Sequence, residues 1–136
     1  MTDSDFFEVR NEDNEILHVK LKGFWSKTDA ETEGERLIQK FESVVDSFES
    51  KDFITLADLS EFGTPTIETK AVIAKCMKYA LDHGMYKSIQ VINRSVTKMS
   101  IDKTAQKVSS KDFRIVVTSL EEANDLIAEI RTDKLT

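Results

Sequence analysis

Four hydroxyl side chains follow an apolar run near the middle of the chain, where they could carry a phosphate or cap a helix. The run Phe53–Ala57 has the character of a buried strand, and it ends at Asp58. The hydroxyls follow at Ser60, Thr64, Thr66 and Thr69. A helical pattern begins within this segment, so free backbone N–H groups and the helix dipole would favour an anion there, although Glu61 and Glu68 would oppose it. The same residue types also form caps and turns, which is the simpler interpretation.

The remaining titratable residues form no catalytic or metal-binding pattern. Asp58 has no base, nucleophile or second carboxylate at a catalytic spacing, so we expect it to bond to the loop backbone. His18 and His83 lack metal-ligand spacing with each other and with Cys76, which lies mid-helix on a broad apolar arc. The sequence therefore predicts no enzyme activity, no metal and no other cofactor.

Two aromatic residues, Phe24 and Trp25, end the second predicted strand just before a helix. They would either cover the core or join Phe62 and Met85 in an exposed apolar contact surface. If the second and third strands run parallel, their carboxyl ends meet at one end of the sheet. Trp25, Phe62 and the loop hydroxyls would then lie together.

Length and composition indicate one domain, residues 1–136, with 40% hydrophobic residues to form a core. The sequence has no apolar run of the roughly 20 residues that a membrane-spanning helix needs. Its first residues lack the features of a signal peptide, and its single cysteine excludes an intrachain disulfide. We therefore expect a cytoplasmic protein without a transmembrane segment.

The net charge of −6 is unevenly distributed along the chain. Residues 1–69 contain 17 acidic and 7 basic residues, whereas residues 70–136 contain 8 acidic and 12 basic residues. The bases could form a solvated helix face or contact an acidic protein partner. Nucleic acid is a poorer fit, because no aromatic residues interleave with the bases. Seven of these twelve bases lie on the second and third predicted helices: Lys70, Lys75, Lys78, Arg94, Lys98, Lys103 and Lys107.

The hydrophobic periodicity predicts the element order ββαβαβαβα. The predicted strands are Phe6–Arg10, Ile16–Trp25, Phe53–Leu59, Ser88–Asn93 and Phe113–Thr118. The first helix should begin near a Thr28/Glu31 capping box and run to about Glu49. The second should be capped by Thr64 or Thr66 and stop at Gly84, and the third should span Arg94–Val108. The last should follow a Ser119/Glu122 capping box and fray from Arg131. This order predicts an α/β fold with a mixed, mostly parallel five-stranded sheet and an antiparallel strand at one edge.

This element order, with Ala57-Asp58-Leu59-Ser60 ending the central strand, resembles the STAS domain of anti-sigma-factor antagonists and more closely its SpoIIAA-like subset. The segment Val116–Ala123 is also similar to the last strand and helix of that group. The family places a phosphoacceptor serine in the motif Asp-Ser-Ser-Gly, five residues after Asp-Leu-Ser. Alignment without gaps puts that motif on Thr66–Thr69 and the acceptor position on Ile67.

The resemblance implies a non-enzymatic regulatory module that binds a protein partner through the loop Asp58–Thr69. A homodimer would also fit the resemblance. The alternative implied by the fold is a small apolar ligand or lipid in a cavity between sheet and helices. Side chains that could line such a cavity are Phe41, Phe48, Ile73 and Met77.

Overall fold

The computed structural model describes residues 3–50, 52–109 and 113–135. Its elements follow the predicted order ββαβαβαβα. They are β1 (Phe7–Glu12), β2 (Ile16–Gly23), α1 (Lys27–Asp46), β3 (Phe53–Phe62), α2 (Ile67–Asp82), β4 (Met85–Val91), α3 (Ser95–Val108), β5 (Arg114–Val117) and α4 (Leu120–Leu135). Among the described residues, no helix is long and apolar enough to cross a membrane.

The five strands form one mixed sheet in the order β1-β2-β3-β4-β5. The hairpin strand β1 is antiparallel to β2 and lies at the edge, and every other pair is parallel. The predicted fold class and edge hairpin are therefore confirmed. The carboxyl ends of β2 and β3 lie at the same end of the sheet, with Gly23 paired to Phe62.

The central strand β3 divides the core into two layers. Phe53, Ala57 and Leu59 face a large cluster that contains side chains of α1, α2 and α3. Ile54 and Leu56 face a smaller cluster with α4. A strand covered on both faces has to be apolar at consecutive positions, which explains the run from residue 53 to 57.

Helix α1 begins two residues earlier than the predicted capping box implied. The cap is Ser26, whose Oγ accepts a hydrogen bond from the Asp29 backbone N–H at 3.1 Å. The Asp29 carboxylate accepts in turn from the Ser26 N–H at 3.0 Å. Thr28 already lies within α1, which begins at Lys27. The prediction of a Thr28/Glu31 box was therefore wrong, although its position in the chain was nearly right.

The bounds of other elements differ from the predicted ones because they depend on strand pairing. β2 ends at Gly23, which has a φ of +74°, and does not reach Trp25. β3 continues to Phe62, because its last residues pair with the end of β2. β4 begins at Met85, three residues before the prediction, because Met85 pairs with Phe53.

The last helix differs from its prediction at both ends. Ser119 Oγ accepts from the Glu122 N–H at 3.2 Å, but the Glu122 carboxylate accepts from the Thr118 hydroxyl, so only half of the predicted capping box forms. The helix continues to Leu135, where fraying from Arg131 was expected. An ion pair between Arg131 and Glu15 ties this last part to the β1–β2 turn. Thr136 lies outside the described residues.

Helices α1 and α2 cross where Gly34 meets Val72. A Cβ atom at position 34 would lie 2.7 Å from a Val72 methyl carbon, which is closer than packed atoms approach. We expect Gly34→Ala to lower the free energy of unfolding by about 1 kcal/mol, because overpacking outweighs the gain in helix propensity. Urea denaturation followed by the fluorescence of the one tryptophan, Trp25, measures this change.

A double-mutant cycle with Val72→Ala separates the steric clash from other effects. In the double variant the methyl added at position 34 fills space vacated at position 72. The loss of unfolding free energy in the double variant should therefore be smaller than the sum of the two single losses, by about 1 kcal/mol. Strict additivity would contradict the packing of this helix crossing.

Candidate functional site

The last part of β3 contains a local set of hydrogen bonds. Asp58 is buried, and its Oδ1 accepts from the Ser60 backbone N–H at 3.0 Å and from the Ser60 hydroxyl at 2.6 Å. Asp58 therefore bonds to nearby backbone as expected, but its partner lies within β3 and not in the loop. The same carboxylate also engages the hydroxyl of Ser60.

The second pair of hydroxyls caps helix α2. Thr66 has an extended backbone, and its Oγ1 accepts from the Thr69 N–H at 3.2 Å. The two hydroxyl oxygens are 3.0 Å apart. Thr69 is completely buried, so the structure contradicts its assignment to an accessible loop site. Of the two caps predicted for this helix, Thr66 is the correct one.

Thr64 is the exposed hydroxyl of the loop. It lies between Gly63 and the buried Pro65, and it makes no hydrogen bond to any residue that the structure describes. Of the four hydroxyls predicted as a group, Thr64 is therefore the most exposed, whereas Ser60 and Thr66 are half-buried and hydrogen-bonded.

The aromatic residues of the predicted contact surface separate into buried and exposed members. Trp25 and Phe62 are each 1% exposed, and their rings meet edge to face at 6.3 Å. The Trp25 indole N–H donates to the Lys22 carbonyl at 3.0 Å. Trp25 and Phe62 do lie together as predicted, but they cover the core, and Met85 is buried as well. Of the two alternatives for Trp25, covering the core is therefore correct, and the exposed contact surface was wrong for Trp25, Phe62 and Met85.

Phe24 is the member of that set that faces solvent, with 62% of its surface exposed. The loop is held against it, because the Gly63 N–H donates to the Gly23 carbonyl at 3.0 Å. A Cβ atom at Gly63 would lie 3.6 Å from the Phe24 Cα. The end of β2 and the loop after β3 are thus packed together, as parallel pairing of the two strands predicts.

Sequence reasoning missed Ile67 as a surface residue. It is the first residue of α2 and is 78% exposed, the most of any large apolar side chain described. The signal was present in the helical pattern, because the buried positions of α2 are 69, 72, 73, 76, 77 and 80. Ile67 lies outside that stripe. Phe24, Thr64 and Ile67 together are called the loop surface below.

Glu61, one of the two carboxylates expected to oppose an anion at the loop, is paired with a lysine. The Glu61 carboxylate lies 2.5 Å from the Lys20 ammonium on the adjacent strand, and this hydrogen bond raises the pKa of Lys20. The negative charge of Glu61 is thus partly compensated locally. Glu68 stands in the first turn of α2, where the helix dipole favours a carboxylate.

The histidines and the cysteine are placed as structural residues. His18 Nε2 lies 3.2 Å from a Glu12 carboxylate oxygen, and His83 Nδ1 lies 2.7 Å from the Tyr79 carbonyl. Cys76 is buried in the core between sheet and helices. No group of three potential metal ligands occurs among the residues the structure describes.

An apolar cavity lies between the sheet and helices α1 and α2. Its volume is about 60 Å³, and Phe41, Ile73 and Met77 line it as expected. Phe48 is not part of the lining and stacks instead on Phe53, with ring centroids 4.7 Å apart. An engineered cavity that binds benzene has about 150 Å³. The cavity is therefore too small for a lipid chain unless the core rearranges.

The described structure is similar to solved structures of one fold. It matches the unphosphorylated form of the anti-sigma factor antagonist SpoIIAA with a TM-score of 0.61 and 12% sequence identity, over 90% of this chain and 97% of that chain. It matches the phosphorylated form of the Bacillus cell fate determinant SpoIIAA with a TM-score of 0.58 and 13% identity, over 89% and 98%. The protein TM1081 gives 0.57 and 10%, over 92% and 90%.

No family model matches the chain, and the search of curated proteins found no match. The fold is nevertheless STAS-like, with the four helices and mixed five-stranded sheet of SpoIIAA. The fold predicted from the sequence is thus confirmed by structural similarity.

Burial of Cys76 has a consequence for stability at high pH. Desolvation raises the pKa of its thiol from 9.0 to about 12. Between these values the unfolded chain loses the proton and the native chain keeps it, so stability falls as pH rises. We expect a loss of about 1 kcal/mol from this thiol at pH 10 relative to pH 8.

The measurement is urea unfolding of the protein and of Cys76→Ala at both pH values. Tyr79 and Tyr86 also have raised pKa values, and both variants retain these residues. The comparison therefore isolates the thiol. An equal pH dependence in the two proteins would show that Cys76 is not desolvated in the native state.

Proposed function

We propose that this protein is a non-enzymatic, STAS-type regulatory module that binds a protein partner through the loop surface. The observation that carries the proposal is the exposure of Phe24 and Ile67, at 62% and 78%, at the end of the sheet where the loop lies. Contiguous exposed apolar patches mark contact sites between proteins, and the proposal requires Phe24 and Ile67 to belong to one such patch. The SpoIIAA fold supports the regulatory part of the proposal.

The internal bonding of the loop supports binding over catalysis. Asp58 and Ser60 bond to each other, and Thr66 caps α2. These groups are engaged in holding the loop in one shape. A loop preorganised in this way presents its exposed side chains with little ordering cost on association. The proposal places the protein in the cytoplasm.

Phosphorylation, if it controls this module, would act at Thr64. The SpoIIAA structures include a phosphorylated and an unphosphorylated form, but the family's acceptor position falls here on Ile67, which has no hydroxyl. A phosphate on Thr64 would add about two negative charges to a surface whose other members are apolar. That charge would weaken an apolar interface.

Photo-crosslinking in cells that express the protein natively tests the loop surface. A photoreactive amino acid replaces Phe24 or Thr64 in separate variants, and Glu129 on the exposed side of α4 serves as the control position. We expect one discrete protein adduct shared by positions 24 and 64 and absent from position 129. An adduct of twice the mass of the protein would identify the partner as a second copy. Absence of any adduct from both loop positions would overturn the proposal.

Polar substitution of the exposed apolar residues gives an independent test. Phe24→Ser and Ile67→Ser remove side chains that face solvent, so each should change the free energy of unfolding by less than about 0.5 kcal/mol. Both should nevertheless reduce the yield of the adduct formed from position 64. Unchanged yield with folded variants would exclude these side chains from the interface.

Mass spectrometry of the native protein tests the phosphorylation step by itself. Phosphate should be found on Thr64 and not on the buried Thr69. Its absence under varied growth conditions would remove the switch and leave the binding proposal intact. A phosphomimetic Thr64→Asp variant should lose the adduct formed from position 24, whereas Thr64→Ala should keep it.

A further inference from the structure

A groove about 720 Å³ in volume lies between helices α2 and α3, outside the loop surface except for one shared residue. Its apolar part is formed by Ile67, Ala71 and Ala74. Its basic part is formed by Lys70 on α2 and by Lys103 and Lys107 on α3. These residues define the α2–α3 groove.

The groove is basic without internal compensation. No carboxylate lines it, and its three lysines form no ion pair with any residue in the described part of the chain. Two other lysines of the same helices are paired: Lys78 with Asp82 at 3.1 Å and Lys98 with Asp102 at 3.0 Å. Of the six lysines of α2 and α3, two are paired within their own helix, three line the groove, and Lys75 is exposed outside it.

The small side chains of Ala71 and Ala74 determine what can bind in the α2–α3 groove. Ala71 and Ala74 leave room for the backbone of another segment to approach α2 closely, and the exposed Ile67 offers an apolar anchor at one end. The lysines on both sides favour carboxylates at the edges of that segment. This combination fits an amphipathic peptide with an apolar stripe and flanking Asp or Glu residues.

We infer that the α2–α3 groove binds an acidic amphipathic segment of the protein partner. The inference rests on the proposed function, because Ile67 belongs to both surfaces and a partner on the loop continues into the groove. Nucleic acid fits poorly, since no aromatic side chain lines the groove to stack on a base. The net charge of −6 also opposes a polyanion that extends beyond the groove.

The test places the photoreactive amino acid at Gln106, which lines the groove, and again at Thr64 on the loop. The adducts are digested and the crosslinked peptide is sequenced. The expected result is the same partner from both positions, with the Gln106 adduct mapping to a segment that contains at least three Asp or Glu residues. That segment, made as a synthetic peptide, is the probe for binding measurements.

Charge reversal supplies the matched comparison. Lys103→Glu with Lys107→Glu changes the net charge by the same amount as Lys27→Glu with Lys75→Glu, which lie outside the groove and are also exposed. The groove variant should bind the synthetic peptide about tenfold more weakly, and the control variant should bind within about twofold of the original. Trp25 fluorescence confirms that both variants are folded.

The outcomes distinguish this inference from the proposed function. Adducts from Thr64 but none from Gln106 would overturn the groove inference and leave the loop proposal standing. A Gln106 adduct with RNA, or with a segment lacking acidic residues, would also overturn it, as would equal weakening by the two charge-reversal variants. Absence of adducts from both positions would overturn the groove inference together with the proposed function.

Discussion

The structure depends on the burial of β3 on both faces. Its alternating side chains serve two different core layers, one under α1, α2 and α3 and one under α4. A strand in this position has to pair on both edges, because unpaired backbone groups in the core are costly. Parallel pairing with β2 and β4 meets that requirement and places the carboxyl ends of all three strands together.

Strand pairing determines where the loop after β3 lies, and local hydrogen bonds determine its shape. The Asp58–Ser60 bonds lie just before it in β3, and the contact of Gly63 with Gly23 and the Thr66 cap fix its two ends. The polar groups that suggested chemistry are thereby largely engaged in structure. The groups left to face solvent are apolar, Phe24 and Ile67, together with the hydroxyl of Thr64. This distribution is why the site fits a binding role.

Charge is separated in space as well as along the chain. Acidic residues of the first half pair with nearby lysines at several places, including Glu61 with Lys20 and Glu8 with Lys22. The lysines of the α2–α3 groove form no ion pairs among the described residues, so no neighbouring carboxylate neutralises their positive charge. An acidic protein with one uncompensated basic groove is suited to select an acidic segment and to repel other acidic surfaces.

The sequence by itself determined the element order, the mixed sheet with its edge hairpin and the loop as the main candidate site. Periodicity and capping residues act locally, so these features can be read without coordinates. The same local information predicted that Asp58 accepts a hydrogen bond from nearby backbone. It also narrowed the α2 cap to two threonines, of which the structure selected Thr66.

Only the tertiary structure decided which residues of the site are accessible. Trp25 and Phe62 are buried whereas Phe24 is exposed, although nothing in their residue types distinguishes a core aromatic from a surface one. Exposure depends on which elements pack over a position, and that is set by long-range pairing. The clustering of Lys70, Lys103 and Lys107 has the same origin, because the groove exists only where α2 and α3 lie side by side.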